Sequence, residues 1–328
     1  MLPNHLGSSA QFVVKRLTVG ANPRAVAFSP DGRFAYVAAA LDDAITVIDA
    51  ESWTTVRHIS LGGPDTVTPI RRGERLFHSA ALAFGRQFSC RSCHPDGHVD
   101  GLSFDIEADG IGMHPADNRS LRGIGDTAPF KWEGTNPTLQ RQCGPRFAVF
   151  FTRLAPLEPD DLDALARYVC TIERPPNPRR SAEGLTLNQR RGKAIFERPV
   201  DNAGQPIPPE RRCVSCHSNA YKTARNKVMV GTTLWLDVPA DVDLSNFEQT
   251  DDFGPLGLIY YYSEGGEMKS FDTPHLTNVA AGAPYLHNGA APTLEEIWTR
   301  FNPYNAHGVT LDLTRRQFND LIAYLKSL

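Results

Sequence analysis

Cys90-Arg91-Ser92-Cys93-His94 and Cys213-Val214-Ser215-Cys216-His217 set the same pattern, C-x-x-C-H, twice in one chain. This pattern attaches a c-type haem. The thiols add to the vinyl groups of the macrocycle. Two intervening residues put both sulfurs on one short turn. The histidine follows at once, so its ring reaches the iron from that turn as an axial ligand. Cys90, Cys93, Cys213 and Cys216 are therefore read as the attachment residues, and His94 and His217 as proximal ligands. The competing reading is structural zinc, since two C-x-x-C pairs can supply four thiolates. Zinc does not require the histidine after each pair, and the pairs lie far apart.

Six cysteines are present and four belong to these motifs. The spare pair, Cys143 and Cys170, reads either as a disulfide of an oxidising compartment or as two buried thiols. The chain has 328 residues, enough for two or three domains. Its 34 basic and 37 acidic residues give a net charge of −3 with no basic stripe, so nucleic acid is not an expected partner. The 26 glycines and 25 prolines imply many turns and long loops. A macrocycle that supplies apolar core suits such a chain. No apolar run approaches the ~18 residues of a membrane span. Met1-Leu2-Pro3-Asn4-His5 does not open a secretory leader. Yet c-type haem is attached outside the bacterial cytoplasmic membrane, which predicts the periplasm. Either a leader was removed, or this is the later part of a longer chain.

Residues 11–61 read as β-structure. The strand candidates are Phe12-Val13-Val14, Ala25-Val26-Ala27-Phe28, Phe34-Ala35-Tyr36-Val37-Ala38 and Ala44-Ile45-Thr46-Val47-Ile48-Asp49. Ser29-Pro30-Asp31-Gly32 marks a tight turn, and Asp42-Asp43 and Ala50-Glu51-Ser52 mark others. Four strands in this length make one propeller blade. The stretch resembles the YVTN family of β-propeller repeats at Phe28-Ser29-Pro30-Asp31-Gly32 and Tyr36-Val37-Ala38. A single blade cannot bury both its faces. It therefore packs on its neighbour or belongs to a longer propeller; a β-rich extension without function is the plain alternative.

The rest reads as an internal duplication. Thr68-Pro69 starts a helix that continues through Arg71-Arg72-Gly73-Glu74-Arg75-Leu76-Phe77. Thr186-Leu187-Asn188-Gln189 is a capping box that opens Arg190-Arg191-Gly192-Lys193-Ala194-Ile195-Phe196. The shared R-R-G-x-x-[LI]-F precedes each haem motif. Each repeat closes with another helix. Residues 159–172 put Leu162, Leu165, Ala166, Val169 and Ile172 on one face, before Pro175-Pro176 opens a linker. Thr314-Arg315-Arg316-Gln317 caps the last helix, whose stripe is Phe318, Leu321, Ile322 and Leu325.

Further segments carry a family likeness. Thr273-Pro274-His275-Leu276-Thr277-Asn278-Val279 is followed by Ala283-Pro284-Tyr285-Leu286-His287-Asn288-Gly289 and then Thr293-Leu294-Glu295-Glu296, which also reads as a capping box. The first repeat has Asn118-Arg119-Ser120-Leu121 and Phe130-Lys131-Trp132-Glu133-Gly134. On these residues, positions 67–328 resemble the di-haem bacterial cytochrome c peroxidase family, which includes the MauG-type enzymes.

The resemblance implies several roles. Trp132 lies between the haems and carries charge; a core aromatic is the alternative. Gln142 lines the pocket of the first haem, which would be the reactive one. The family's pocket glutamate is missing: position 152 is Thr152, and the next carboxylate is Glu158. Acid–base help with peroxide thus lacks its usual agent. His114 lies where the family places a displaceable ligand of the first iron; an open or water-bound iron is the alternative, and His98 is too near His94 to cross the ring. Where the second haem's Met or Tyr ligand is expected, position 301 is Phe301. His307 is the substitute, followed by Tyr304 and Met268. Asn118, Gly282 and Pro284 match the family's Ca²⁺ site; alternatively Asn118 only caps a turn. His275 replaces a small residue and is placed to touch a haem propionate. His5, His58 and His78 read as surface.

The expected fold is mainly α: two tandem cytochrome c-like haem domains with long loops, 64–178 and 179–328, after a small all-β, blade-like segment, 1–63. The expected function is a di-haem c-type cytochrome oxidoreductase with peroxide or a small redox protein at one iron. A non-enzymatic electron-transfer cytochrome is the rival. A third reading makes the blade a sensor or docking module.

Overall fold

The computed structural model describes residues 13, 15–63, 66–83, 86–105, 115–132, 136–143, 157–218, 227–228, 271–302, 305 and 307–328. The first unit is a four-stranded antiparallel meander, β1 (Pro23–Phe28), β2 (Phe34–Ala39), β3 (Ala44–Asp49) and β4 (Thr54–Ser60), paired in sequence order. Ser29-Pro30-Asp31-Gly32 makes the first turn as expected, with Gly32 N–H donating to Ser29 O at 2.8 Å and Gly32 at φ 73°. Ala35, Val37 and Ile48 pack beneath Leu17 and Val19.

The strand expected at 12–14 is not part of this sheet. Val13 lies in no strand, and Phe12 and Val14 are outside the described residues. The fourth strand is β4. It is rich in β-branched residues, and Asp49 turns the chain into it by accepting from Glu51 N–H, Ser52 N–H and the Ser52 hydroxyl.

The sheet is strapped to the helices by the duplicated motif itself. Arg71 pairs with Asp43 at 2.9 Å and donates to Ala40 O at 2.8 Å, and Arg75 donates to Leu41 O at 3.1 Å.

Two helix pairs follow. Helix α1 (Pro69–His78) leads to the single turn α2 (Cys90–Cys93), the hairpin β5 (Ser103–Asp105) and β6 (Pro115–Asp117), the turn α3 (Leu139–Gln142) and helix α4 (Pro159–Cys170). Helix α5 (Leu187–Phe196) leads to the turn α6 (Cys213–Cys216), the pair β7 (Lys227–Val228) and β8 (Phe271–Asp272), the turn α7 (Glu296–Thr299) and helix α8 (Arg315–Leu325). The caps form as the sequence predicts. Thr68, Thr186 and Thr314 each accept from the N–H three residues on, and the last two complete capping boxes. Helix α4 stops at Cys170, short of Ile172, whose carbonyl turns away to accept from Gly123 N–H at 2.7 Å. Thr293 accepts from Glu296 N–H at 3.3 Å, but the helix starts only at Glu296, because Leu294 is drawn into the core.

The glycine of each duplicated motif marks a helix crossing. A Cβ on Gly73 would lie 1.9 Å from Ala164 O of α4, and one on Gly192 would lie 1.9 Å from Asp320 O of α8. Only glycine permits backbones this close. The phenylalanine one turn later, Phe77 or Phe196, is fully buried against Tyr168 or Tyr324. The correspondence continues through 121–139 and 276–294. Both segments have a short 3₁₀ turn, a cis X–Pro bond (Ala128–Pro129, Ala283–Pro284) and an antiparallel bridge (Phe130 to Asn136, Tyr285 to Ala291). Trp132 and His287 therefore hold equivalent places. The halves exchange matching bonds: Asp272 N–H donates to Trp132 O at 2.7 Å, and Asp117 N–H donates to His287 O at 2.6 Å. Among the described residues no helix is long and apolar enough to cross a membrane.

Candidate functional site

The two C-x-x-C-H segments have the same local geometry. Each cysteine pair spans one helical turn, and the following histidine donates its N–H to the first cysteine's carbonyl at 2.9 Å, from His94 to Cys90 and from His217 to Cys213. In the first segment Ser89 N–H donates to the Ser92 hydroxyl at 3.0 Å. His94 Nδ1 lies 3.2 Å from His98 O. Nδ1–H is the donor there, so Nε2 is left with its lone pair exposed for a metal. Burial holds the His94 ring down at about 4. Burial also pushes the Cys90 and Cys93 thiols up, and Cys213 up to about 11. These side chains are neutral and poorly hydrated, as residues facing an apolar macrocycle need to be.

The second segment opens into a cavity of about 330 Å³ lined by Cys213, Cys216, His217, Phe196, Leu294 and His307, among others. His307 is the sequence-predicted partner of His217, and both reach this one cavity. Its loop is tied down. Asn302, 2 % exposed, accepts from His307 N–H and donates to Gly308 O at 3.0 Å and Thr310 Oγ1 at 2.9 Å. Trp298 donates its indole N–H to His307 O at 2.9 Å, with the rings edge-on at 5.8 Å. A Cβ on Gly308 would sit 3.3 Å from Cys213 Sγ, so this loop lies directly on the attachment turn. Burial lowers the His307 ring to about 4, which keeps it neutral and able to ligate.

The cavity runs on to the junction of the halves, where Trp132, Asn118, Gly282 and Pro284 line it. Trp132 donates its indole N–H to Asp117 O at 2.9 Å, and the Arg119 guanidinium lies over its ring with Cζ 4.9 Å from the centroid. Asn118 spends its amide N–H groups on Cys93 O and on Asp100 Oδ1, the latter at 3.2 Å. One oxygen of the adjacent, buried Asp117 carboxylate has no hydrogen-bond partner. Oxygen donors of this kind suit a hard cation. Among the described residues no cluster of three His, Cys, Asp or Glu could hold a metal ion, so any such site would draw on amide and carbonyl oxygens.

Other sequence-predicted residues fall elsewhere. His98 lies at the junction with its ring 3.3 Å from the Ser120 hydroxyl. His275 lines the cavity with Nδ1 unpartnered, and burial beside Arg119 and Arg174 drives its ring down to about 3. Cys143 and Cys170 are free thiols, with Cys143 pushed up to about 12 by burial. Gln142 closes α3, and its side chain lies outside the described residues, as do His114, Tyr304, Met268 and Thr152. Sequence reasoning missed Asp272, Asn302 and Trp298. Asp272 carries no motif; its role comes from the pairing of the halves.

No family model matches the chain. The chain is 31% identical over 280 residues to hydrazine synthase subunit gamma of Kuenenia stuttgartiensis, covering 79% of this chain and 77% of that protein. It superposes on a solved structure of K. stuttgartiensis hydrazine synthase with a TM-score of 0.60 and 28% identity, over 81% of this chain and 89% of that one. It is 23% identical over 299 residues to cytochrome c peroxidase Ccp of Escherichia coli (81% and 59% covered). It is 22% identical over 307 residues to methylamine utilization protein MauG of Methylorubrum extorquens (81% and 79% covered). The chain belongs to the MauG and di-haem peroxidase-like family, with hydrazine synthase subunit gamma among its relatives.

Proposed function

We propose that the protein is a di-haem c-type cytochrome oxidoreductase of the bacterial periplasm, with one haem on Cys90, Cys93 and His94 and the other on Cys213, Cys216 and His217. The observation that carries this reading is the pair of C-x-x-C-H turns with one geometry, the second of which opens into a cavity that reaches Trp132. When bound, the haems supply one-electron chemistry at iron. The chain's own groups do the rest. His94 is oriented through Nδ1 by His98 O, so Nε2 is presented in one tautomer. Burial in the cavity that His217 also lines keeps the His307 ring neutral. Trp132 gives a short path between the halves. Asn118 with the carbonyls of Gly282 and Pro284 is proposed to hold a Ca²⁺ at the junction.

A specific observation favours a second reading, that of a pure electron carrier. His307 is pinned in the cavity of His217, which suits a six-coordinate second iron, and the sequence has Thr152 where the family has its pocket glutamate. An EPR spectrum of the ferric haem-loaded protein separates the two. A high-spin signal that is lost on adding peroxide or cyanide supports the enzyme, with the first haem reactive. Two low-spin signals indifferent to both overturn the enzyme and leave the carrier. Hydrazine synthase is named for its own reaction, and a test for that activity belongs with the same preparation.

A further inference from the structure

Trp132 is held by groups from both halves of the chain. Its indole N–H donates to Asp117 O at 2.9 Å, a main-chain carbonyl that is too weak a base to accept the proton. The Arg119 guanidinium lies over the ring, with Cζ 4.9 Å from the centroid, and is fixed there by a hydrogen bond to Lys131 O at 3.1 Å. Asp272, from the other half, grips the Trp132 carbonyl through its N–H at 2.7 Å and places a carboxylate oxygen 4.0 Å from the same guanidinium. Asp272 is 1 % exposed, and its second carboxylate oxygen has no partner. This arrangement does more than pack an aromatic ring. An indole that loses an electron here keeps its N–H proton and becomes a cation. A positive charge on the ring face opposes that change, and a negative charge behind the guanidinium favours it. Water does not screen these charges well at a buried junction. His98, Asp117, Arg122, Arg174, His275 and His287 are among the other ionisable groups that line the cavity.

We propose that Arg119 and Asp272 are a tuning pair that sets how easily Trp132 gives up an electron: Arg119 restrains the indole and Asp272 releases it. Neither touches the reacting iron in this scheme; both act through Trp132. The inference rests on the reading of Trp132 as the path between the haems. In the step concerned, one electron would pass from the haem held by one C-x-x-C-H turn to the haem held by the other by way of the indole, whose ease of electron loss sets how well it mediates. One haem is oxidised and the other reduced by the same electron, and the indole ends unchanged. No proton moves and no bond breaks.

The test uses the full haem-loaded chain. One haem is reduced by a flash-generated one-electron reductant, and the rate of equilibration between the irons is followed optically. The potential of each haem is measured alongside, so that a change in driving force is recognised. Replacing Arg119 by Gln removes the restraining charge, and the rate should rise by about tenfold. The isosteric Asp272→Asn removes the opposing charge, and the rate should fall by a similar factor. Arg119→Lys keeps the charge and should stay near the parent rate. A purely structural role predicts that Arg119→Gln and Asp272→Asn both slow the transfer. Shifts in the same direction, or no shift in either, overturn the tuning pair while Trp132→Phe still slows transfer. If Trp132→Phe leaves the rate unchanged, the path itself is wrong and the tuning pair falls with it.

Discussion

Asp272 donates its main-chain N–H to the carbonyl of Trp132 at 2.7 Å, and its own side chain is sealed in the junction between the halves at 1 % exposure. Burial holds that carboxyl up at about 6, with Arg119 pulling the other way. The folded-state value lies above the ordinary one of 3.8, so the folded state binds this proton more tightly. The stabilisation is full below pH 3.8 and is lost as pH rises to about 6. The loss from this group is about 3 kcal/mol at most. Denaturant melts at a series of pH values check it. The parent should lose more stability than Asp272→Asn across that window; parallel curves would contradict it.

The helix crossings make a sharper stability prediction. Gly73→Ala and Gly192→Ala each push a methyl group into a facing carbonyl oxygen, and each should cost about 3 kcal/mol. The two sites lie on separate helix pairs, so the costs should add in the double variant. Thermal unfolding measures this directly. A neutral Gly192→Ala would mean that α5 and α8 do not cross as described.

Asn302 is the clamp on the His307 loop. Asn302→Ala removes three hydrogen bonds from a buried site and should cost about 2–3 kcal/mol. Under the proposed ligation it should also convert the second haem from low-spin to high-spin, as His307→Ala should. EPR reads the change. A second haem that remains low-spin in both variants would remove His307 from the iron.

Among the described residues Arg24, Arg71 and Arg75 tie the sheet to the helical part, and Arg71 makes two of these contacts. Arg71→Ala should loosen the sheet with little effect on the helix pairs. Limited proteolysis should then cut near residues 60–68 faster than in the parent; an unchanged cleavage rate would show that other contacts hold the sheet.

What the sequence disclosed follows from how local each feature is. The C-x-x-C-H turns and the Thr68, Thr186 and Thr314 caps are written in a few adjacent residues, and they form as read, whereas the shared R-R-G-x-x-[LI]-F was legible as a repeat but not as a pair of helix crossings. The meander was legible in three of its four strands. Strand β4 was missed because turn residues hid its start, and Phe12-Val13-Val14 took its place on apolar character alone. The junction was not legible. The Asp272 and Asp117 bonds join residues from opposite halves, and no local pattern marks either acid. Trp132 was named from resemblance, while the Arg119 cation above it needed coordinates.

The central claim is that each C-x-x-C-H turn holds its own haem through thioether bonds. Mass spectrometry of denatured protein, matured in a host competent for c-type haem, tests it most directly. The mass should exceed that of the polypeptide by two haems, and by one after Cys213 and Cys216 are both replaced by Ala. A bare polypeptide mass with free thiols, or zinc recovered from the native protein, would contradict the account.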